Sequence, residues 1–159
     1  KGLKYLLKAL PYLKHKNWRL VLLGKGNWER YLSLVSEENR RKIIYLDPID
    51  EIETLYASAD FFVLPSIYEP FGNANLEALA SGLPIITSRN CGVAEIITPK
   101  KEGIILEEPS DAKAIAKAIN YLMDSKIREP MAQSARLLAE KFTQERNAAE
   151  MLKIYKNMI

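Results

Sequence analysis

The chain has one cysteine, Cys91, and one histidine, His15, in 159 residues. A lone cysteine closes no internal disulfide, so a reducing, cytoplasmic setting is expected. His15 sits between Lys14 and Lys16, where it is expected to be solvated, so no His-based catalytic triad is expected. No apolar run approaches the ~20 residues of a membrane helix, and no signal peptide is visible. Direct membrane insertion is therefore not expected. The sequence also lacks an Asp-x-Asp pair, a phosphate-binding P-loop and any Cys/His spacing suited to a metal, so neither metal nor cofactor is expected. Its 23 Lys and Arg against 20 Asp and Glu leave a net charge of +3, spread too evenly to form a nucleic-acid stripe. Repeats and low-complexity tracts are absent.

What is present suits one globular domain over residues 1–159: 48% of the residues are hydrophobic and 27% charged. The chain opens at Lys1-Gly2, directly on an amphipathic pattern and without an initiator methionine, as expected of a piece of a longer protein. Leu3, Leu6, Leu7, Leu10 and Leu13 follow helical spacing up to Pro11. Strands are predicted at Arg19–Leu23, Lys42–Leu46, Phe61–Leu64, Ile85–Thr87 and Gly103–Leu106. Between them, Trp28, Tyr31, Leu32 and Val35 recur at helical spacing. Asp50 and Glu53 form a capping box for a helix carrying Ile52, Leu55 and Tyr56. A short helix is predicted over Gly92–Ile97, and longer ones over Asp111–Met123 and Arg128–Lys141. A last helix starts near Thr143. Trp18 and Trp28 read as core or strand-edge packing. Short strands alternating with helices indicate parallel βαβ units, hence a doubly wound, Rossmann-like α/β fold with its ligand site at the carboxyl ends of the strands.

One segment, residues 65–84, organises the rest. It leaves the third strand at Pro65, opens a helix at Gly72, and ends it at Gly82 and Pro84. The helix start presents the N–H groups of Gly72, Asn73, Ala74 and Asn75 without intrahelical partners, and the peptide dipoles favour an anion such as phosphate there. Glu77 lies inside this helix among Leu76, Ala78, Leu79 and Ala80. A carboxylate in so apolar a run needs a partner, and a pair of sugar hydroxyls would serve.

Glu69 and Glu77 stand in a Glu-x7-Glu pattern around Pro70-Phe71-Gly72. With Lys1-Gly2, Gly24-x-Gly26, Ala59-Asp60, Pro65-Ser66, Leu76-Glu77-Ala78, Ser81-Gly82-Leu83-Pro84, Gly92 with Glu95, and Gly103, that pattern resembles the group 1 (family four) retaining glycosyltransferases across nearly the whole chain. The likeness is to the C-terminal, nucleotide-sugar-binding half of a GT-B enzyme. It implies that the N-terminal acceptor domain and the first strand of the sheet lie outside these residues. It further implies that Glu77 holds the ribose hydroxyls, that Glu69 faces the donor sugar, and that Phe71, Gly72, Asn73 and Ala74 lie against sugar and diphosphate. Lys1 matches a lysine that reaches the diphosphate, and a fixed cation there would stabilise the leaving group.

Each of these residues has a plainer reading. Glu69 could be a turn residue before Pro70, Glu77 a buried carboxylate bonded to backbone, and Lys1 a loose end. Gly24-Lys25-Gly26 reads as a tight turn sooner than as a ligand contact, and the loop Leu46-Asp47-Pro48, where the resemblance puts the nucleobase, likewise reads first as a turn. Glu95 matches an acid near the sugar but could cap a helix. The function implied is transfer of a hexosyl unit from a UDP-, GDP- or ADP-sugar, without metal, to a glycan, lipid or polysaccharide. The missing domain would carry the acceptor, and Asn90-Cys91-Gly92 resembles transferases of cell-surface polysaccharide assembly, which would place that acceptor at the inner membrane surface. The alternatives are an epimerase or phosphorylase half, or a non-catalytic interaction module. The resemblance also sends the last helix back toward the other domain, which implies an exposed apolar face at Leu152, Tyr155, Met158 and Ile159.

Overall fold

In the computed structural model, which describes residues 1–158, five short strands alternate with helices and every strand pair is parallel. Helix α1, Leu3–Ala9, runs into a 3₁₀ turn at Leu10–Tyr12, where Pro11 falls in the first turn and costs no hydrogen bond. Strands β1 (Leu20–Leu23) and β2 (Ile43–Leu46) pair in register from Leu20 with Ile43 to Leu23 with Leu46. Strands β3 (Phe62–Leu64), β4 (Ile85–Ser88) and β5 (Gly103–Leu106) form the second ladder, in the order β3-β4-β5. The predicted doubly wound sheet is thus hydrogen-bonded as two parallel sheets, because no described strand pairs β1 with β3.

Strand β4 is buried along its whole length, and its alternation places one residue on each side of the core. Ile86 packs with α1 and with helix α5, Ala112–Leu122, through Leu6, Ile115, Ile119 and Leu122. Ile85 faces the opposite layer, formed by α3 (Ile52–Ala57), α4 (Asn73–Ala80) and α6 (Ser125–Ala139). Helices therefore cover both faces of this sheet, the three-layer arrangement expected of α/β units. Leu20, Leu22 and Ile43 pack below α1 with Trp18 and Val35. Their neighbours Val21 and Ile44 point the other way and are exposed.

Local chemistry departs from the sequence expectations in five places. The Asp50–Glu53 capping box does not form: Glu51 occupies the N-cap of α3, at φ −97°, with no side-chain cap bond. The segment from Trp28 is a 3₁₀ helix at Glu29–Leu34, after which Val35 is extended. Ser36 then caps a single-turn helix, α2 (Glu37–Arg40), which is too short to leave a periodic signal. The helix predicted from Arg128 begins at Ser125, because Asp124 accepts from Lys126 N and starts it one turn earlier. The turn after Cys91 is 3₁₀ and spans only Gly92–Glu95.

Helix α7, Gln144–Lys156, starts where predicted, with Thr143 Oγ1 accepting from Arg146 N. None of its residues is buried, and Met151, Leu152, Ile154, Tyr155 and Met158 are exposed. This matches the expected apolar face, apart from Ile159, which lies outside the described residues. No described helix is long and apolar enough to cross a membrane.

Candidate functional site

Within each sheet the strands run the same way, so the loops after Leu23 and Leu46 emerge at one edge of the first sheet and those after Leu64, Ser88 and Leu106 at one edge of the second. The loop after β3 is tied to the loop after β4. Glu69 N donates to Asn90 O at 3.2 Å, and Gly92 N donates back to Glu69 O at 3.2 Å. Phe71 O then accepts from Val93 N at 3.0 Å and from Cys91 Sγ at 3.1 Å. Residues 69–71 are thereby bonded, like a short strand, to the loop after β4. Gly92 has to be glycine, because a Cβ there would strike the Pro70 carbonyl oxygen.

Gly72 turns the chain from that loop into α4. Its φ of +86° is the left-handed conformation glycine tolerates, and a Cβ would come within 2.7 Å of Cys91 Sγ and 2.8 Å of Asn75 Nδ2. Asn75 N donates to Gly72 O at 2.8 Å. That bond corrects the sequence expectation, since three amides rather than four, those of Gly72, Asn73 and Ala74, make no hydrogen bond among the described residues. Asn73 is exposed, Ala74 and Phe71 half-buried, and Gly72 itself is buried.

Lys1 and Glu69, 68 positions apart in sequence, come together at this edge, with Lys1 Nζ 3.5 Å from Glu69 Oε2. The lysine side chain is 70% exposed and the glutamate 19%. Gly2 makes the approach possible: at φ +77° it lies so close to the Pro65 carbonyl that no side chain would fit, while its own carbonyl accepts from Tyr5 N and Leu6 N. The exposed pair adds little to stability. Its significance is positional, since a cation and a carboxylate stand beside the loop leading to the α4 start.

Glu77 is exposed, not buried in the apolar run around it, because it takes the solvent side of α4 while Ala78 and Leu79 face the core. It nevertheless has a protein partner. Tyr56, on α3 and 6% exposed, donates its hydroxyl to Glu77 Oε2 at 3.2 Å, with Ala74 O at 3.4 Å. Burial, then the charge of Glu77 and the hydrogen bond to it, push the Tyr56 phenol well above the usual tyrosine range. The sequence reading named Tyr56 only as one residue carried by its helix. A partner 21 residues away leaves no local signal.

Gly24, Leu46 and Asp47 form a second group. Gly24 N donates to Leu46 O at 3.2 Å, and Tyr45 Oη donates to Gly24 O at 2.9 Å while its ring stacks on Trp28 at 5.0 Å. Leu46 is half-buried and Asp47 exposed. Among the described residues no hydrogen bond or ion pair joins this group to the α4 start. Glu95 is exposed within its 3₁₀ turn and makes no cap bond. Asn75 and Cys91 are further residues the sequence reading did not single out as a pair: both are buried, 3.4 Å apart, beneath Gly72. Concavity alone points elsewhere, since a depression of about 500 Å³ lies at the other end of α4 between Gly82, Ala132, Gln133, Arg136 and Leu137.

A parallel α/β fold with a glycine-opened helix at the carboxyl edge of its strands defines a domain of the Rossmann-like class. The family model for glycosyl transferases group 1 matches residues 1–138, and the chain belongs to that family. It is 36% identical over 163 residues to an uncharacterized glycosyltransferase of Methanocaldococcus jannaschii, covering 98% of this chain and 42% of that protein. Among solved structures, sucrose-phosphate synthase from Thermosynechococcus elongatus superposes with a TM-score of 0.86 at 30% identity, covering 99% of this chain and 42% of that one. HepE from Anabaena, solved in complex with UDP-glucose, gives 0.83 at 20% identity over all of this chain and 46% of its own, a likeness of fold. The chain thus spans less than half the length of these relatives. The architecture is that of the C-terminal domain of GT-B glycosyltransferases.

Proposed function

We propose that these residues are the donor-binding half of a retaining glycosyltransferase that moves a hexosyl unit from a nucleoside diphosphate sugar to a glycan, lipid or polysaccharide acceptor. The observation that carries this reading is the gathering of Lys1, Glu69 and the α4 start at one edge of the second sheet. The free amides of Gly72, Asn73 and Ala74 and the ammonium of Lys1 would hold the diphosphate. As the bond from the anomeric carbon to the diphosphate oxygen breaks, negative charge grows on that oxygen, and these donors stabilise it without a metal. Glu69 would face the sugar and Glu77 the ribose hydroxyls. Gly24, Leu46 and Asp47 would border the nucleobase, which suits their position at the ends of β1 and β2.

The same reading places the acceptor site on a further domain, with a cell-surface polysaccharide as the acceptor class. One more strand of such an enzyme would lie between β1 and β3, whose facing edges bond to no described strand. Residues 1–159 alone are therefore expected to bind donor and not to transfer it. Calorimetric titration with UDP, GDP and ADP, beside a Glu77→Ala variant, tests the site. Binding of one diphosphate that the variant loses supports the reading. Equal binding by both proteins, or transfer by residues 1–159 alone, overturns it.

A further inference from the structure

The ribose-holding role proposed for Glu77 asks something of the protein that the residue's exposure does not supply. A glutamate on the open side of a helix samples several rotamers, and fixing one on binding costs free energy. The structure contains a device that fixes it in advance. Tyr56 stands on α3 with its ring edge-on to Phe62 of β3, centroids 5.9 Å apart at 74°, in the core that α3 shares with α4. From this buried seat its hydroxyl reaches Glu77 Oε2 at 3.2 Å and Ala74 O at 3.4 Å.

The second contact gives the direction. Ala74 lies one turn before Glu77, so a hydroxyl near both draws the carboxylate toward the N-terminal end of α4, the way helical side chains already lean. That is the end where the amides of Gly72, Asn73 and Ala74 stand free. Oε1 accepts no hydrogen bond among the described residues, and Oε2 keeps a second lone pair. A vicinal diol can take both.

Resting on the proposed role of Glu77, we infer that Tyr56 is a positioning residue for donor binding: its hydroxyl holds the Glu77 carboxylate toward the α4 start, ready to accept the two ribose hydroxyls. Burial and the neighbouring charge keep its phenol protonated at neutral pH, so it acts as a donor throughout. Tyr56 touches no nucleotide in this account. Its effect should depend wholly on whether the ribose hydroxyls are there.

The test uses Tyr56→Phe, which keeps the ring against Phe62 and removes only the oxygen. Dissociation constants are measured for UDP, GDP and ADP, each beside its 2′,3′-dideoxy counterpart, in wild type, Tyr56→Phe, Glu77→Gln and the double variant, with a thermal melt of each. The ratio of dideoxy to ribose dissociation constants is taken within one protein, so it is independent of the fraction folded. Losing one pre-ordered side chain should lower that ratio about three- to tenfold in Tyr56→Phe. Dideoxynucleotide binding should change by less than about twofold. In the Glu77→Gln background Tyr56→Phe should add less than about twofold, because two residues acting through one contact are not additive. Equal weakening of both nucleotide forms by Tyr56→Phe, or an unchanged ratio, overturns the inference. A wild-type ratio near one, or no binding at all, overturns the role of Glu77 as well. A high wild-type ratio that Glu77→Gln abolishes and Tyr56→Phe leaves intact refutes the role of Tyr56 alone.

Discussion

Replacing Gly72 with alanine tests the packing of the α4 start against a built-in control. At φ +86° any side chain pays about 1–2 kcal/mol for the left-handed conformation. Gly82, which ends the same helix at φ +77°, would pay the same, partly offset by the lower entropy of an unfolded chain bearing alanine. The two sites differ in space. A Cβ at Gly82 has only Ala132 O at 3.9 Å, an ordinary contact. A Cβ at Gly72 meets Cys91 Sγ at 2.7 Å, Asn75 Nδ2 at 2.8 Å and Glu69 Cγ at 3.2 Å. Asn75 and Cys91 are 0% and 1% exposed and bonded to each other, so neither can swing away. Overpacking of this kind adds about 1–3 kcal/mol. Gly82→Ala should therefore lose about 1 kcal/mol and Gly72→Ala about 2–4 kcal/mol in urea unfolding followed by circular dichroism. The pressure on Glu69 Cγ should also weaken nucleotide binding in Gly72→Ala and not in Gly82→Ala. Equal losses of stability in the two variants would refute the packing described beneath Gly72.

Leu79, fully buried between α4 and α6, should cost about 2–5 kcal/mol when changed to alanine, measured by the same unfolding experiment. Removing the Thr143 hydroxyl should destabilise α7 locally by about 1 kcal/mol, read as faster amide exchange in Gln144–Lys156 with the sheet amides unchanged. Polar substitution of Leu152 and Met158 should leave global stability within about 0.5 kcal/mol, since both are exposed. The raised phenol of Tyr56 makes stability fall in alkali: its contribution is whole below the ordinary tyrosine range and shrinks as pH climbs through it, because the unfolded phenol then loses a proton the folded one keeps. Tyr56→Phe should flatten that alkaline decline. An unchanged slope would show that other groups cause it.

Most of the architecture was legible because its signals are local. Five apolar strands, the Gly72 and Gly82 ends of α4, and the Thr143 cap each rest on neighbouring residues. Asp50 and Glu53 had the capping-box spacing, yet Glu51 took the cap position, because the cap depends on backbone angles that spacing does not encode. The two-turn stretch after Trp28 had helical periodicity but closed as 3₁₀, a choice of hydrogen bond that one period cannot distinguish. At the site, the apolar run around Glu77 suggested a carboxylate in apolar surroundings, whereas the residue takes the exposed side of α4. A family resemblance implied that Lys1 and Glu69 serve one site, but neither their contact nor that of Tyr56 with Glu77 was foreseen, since each pair is made by the fold across many residues.

The central claim is that a nucleoside diphosphate sits on the start of α4. Amide-resolved hydrogen exchange, with and without UDP, GDP or ADP, addresses it most directly. The account expects slowed exchange at Gly72, Asn73 and Ala74 with the nucleotide that binds, and no change around Gly82 and Ala132. Slowed exchange at Gly82 and Ala132, with Gly72 to Ala74 unchanged, would contradict it.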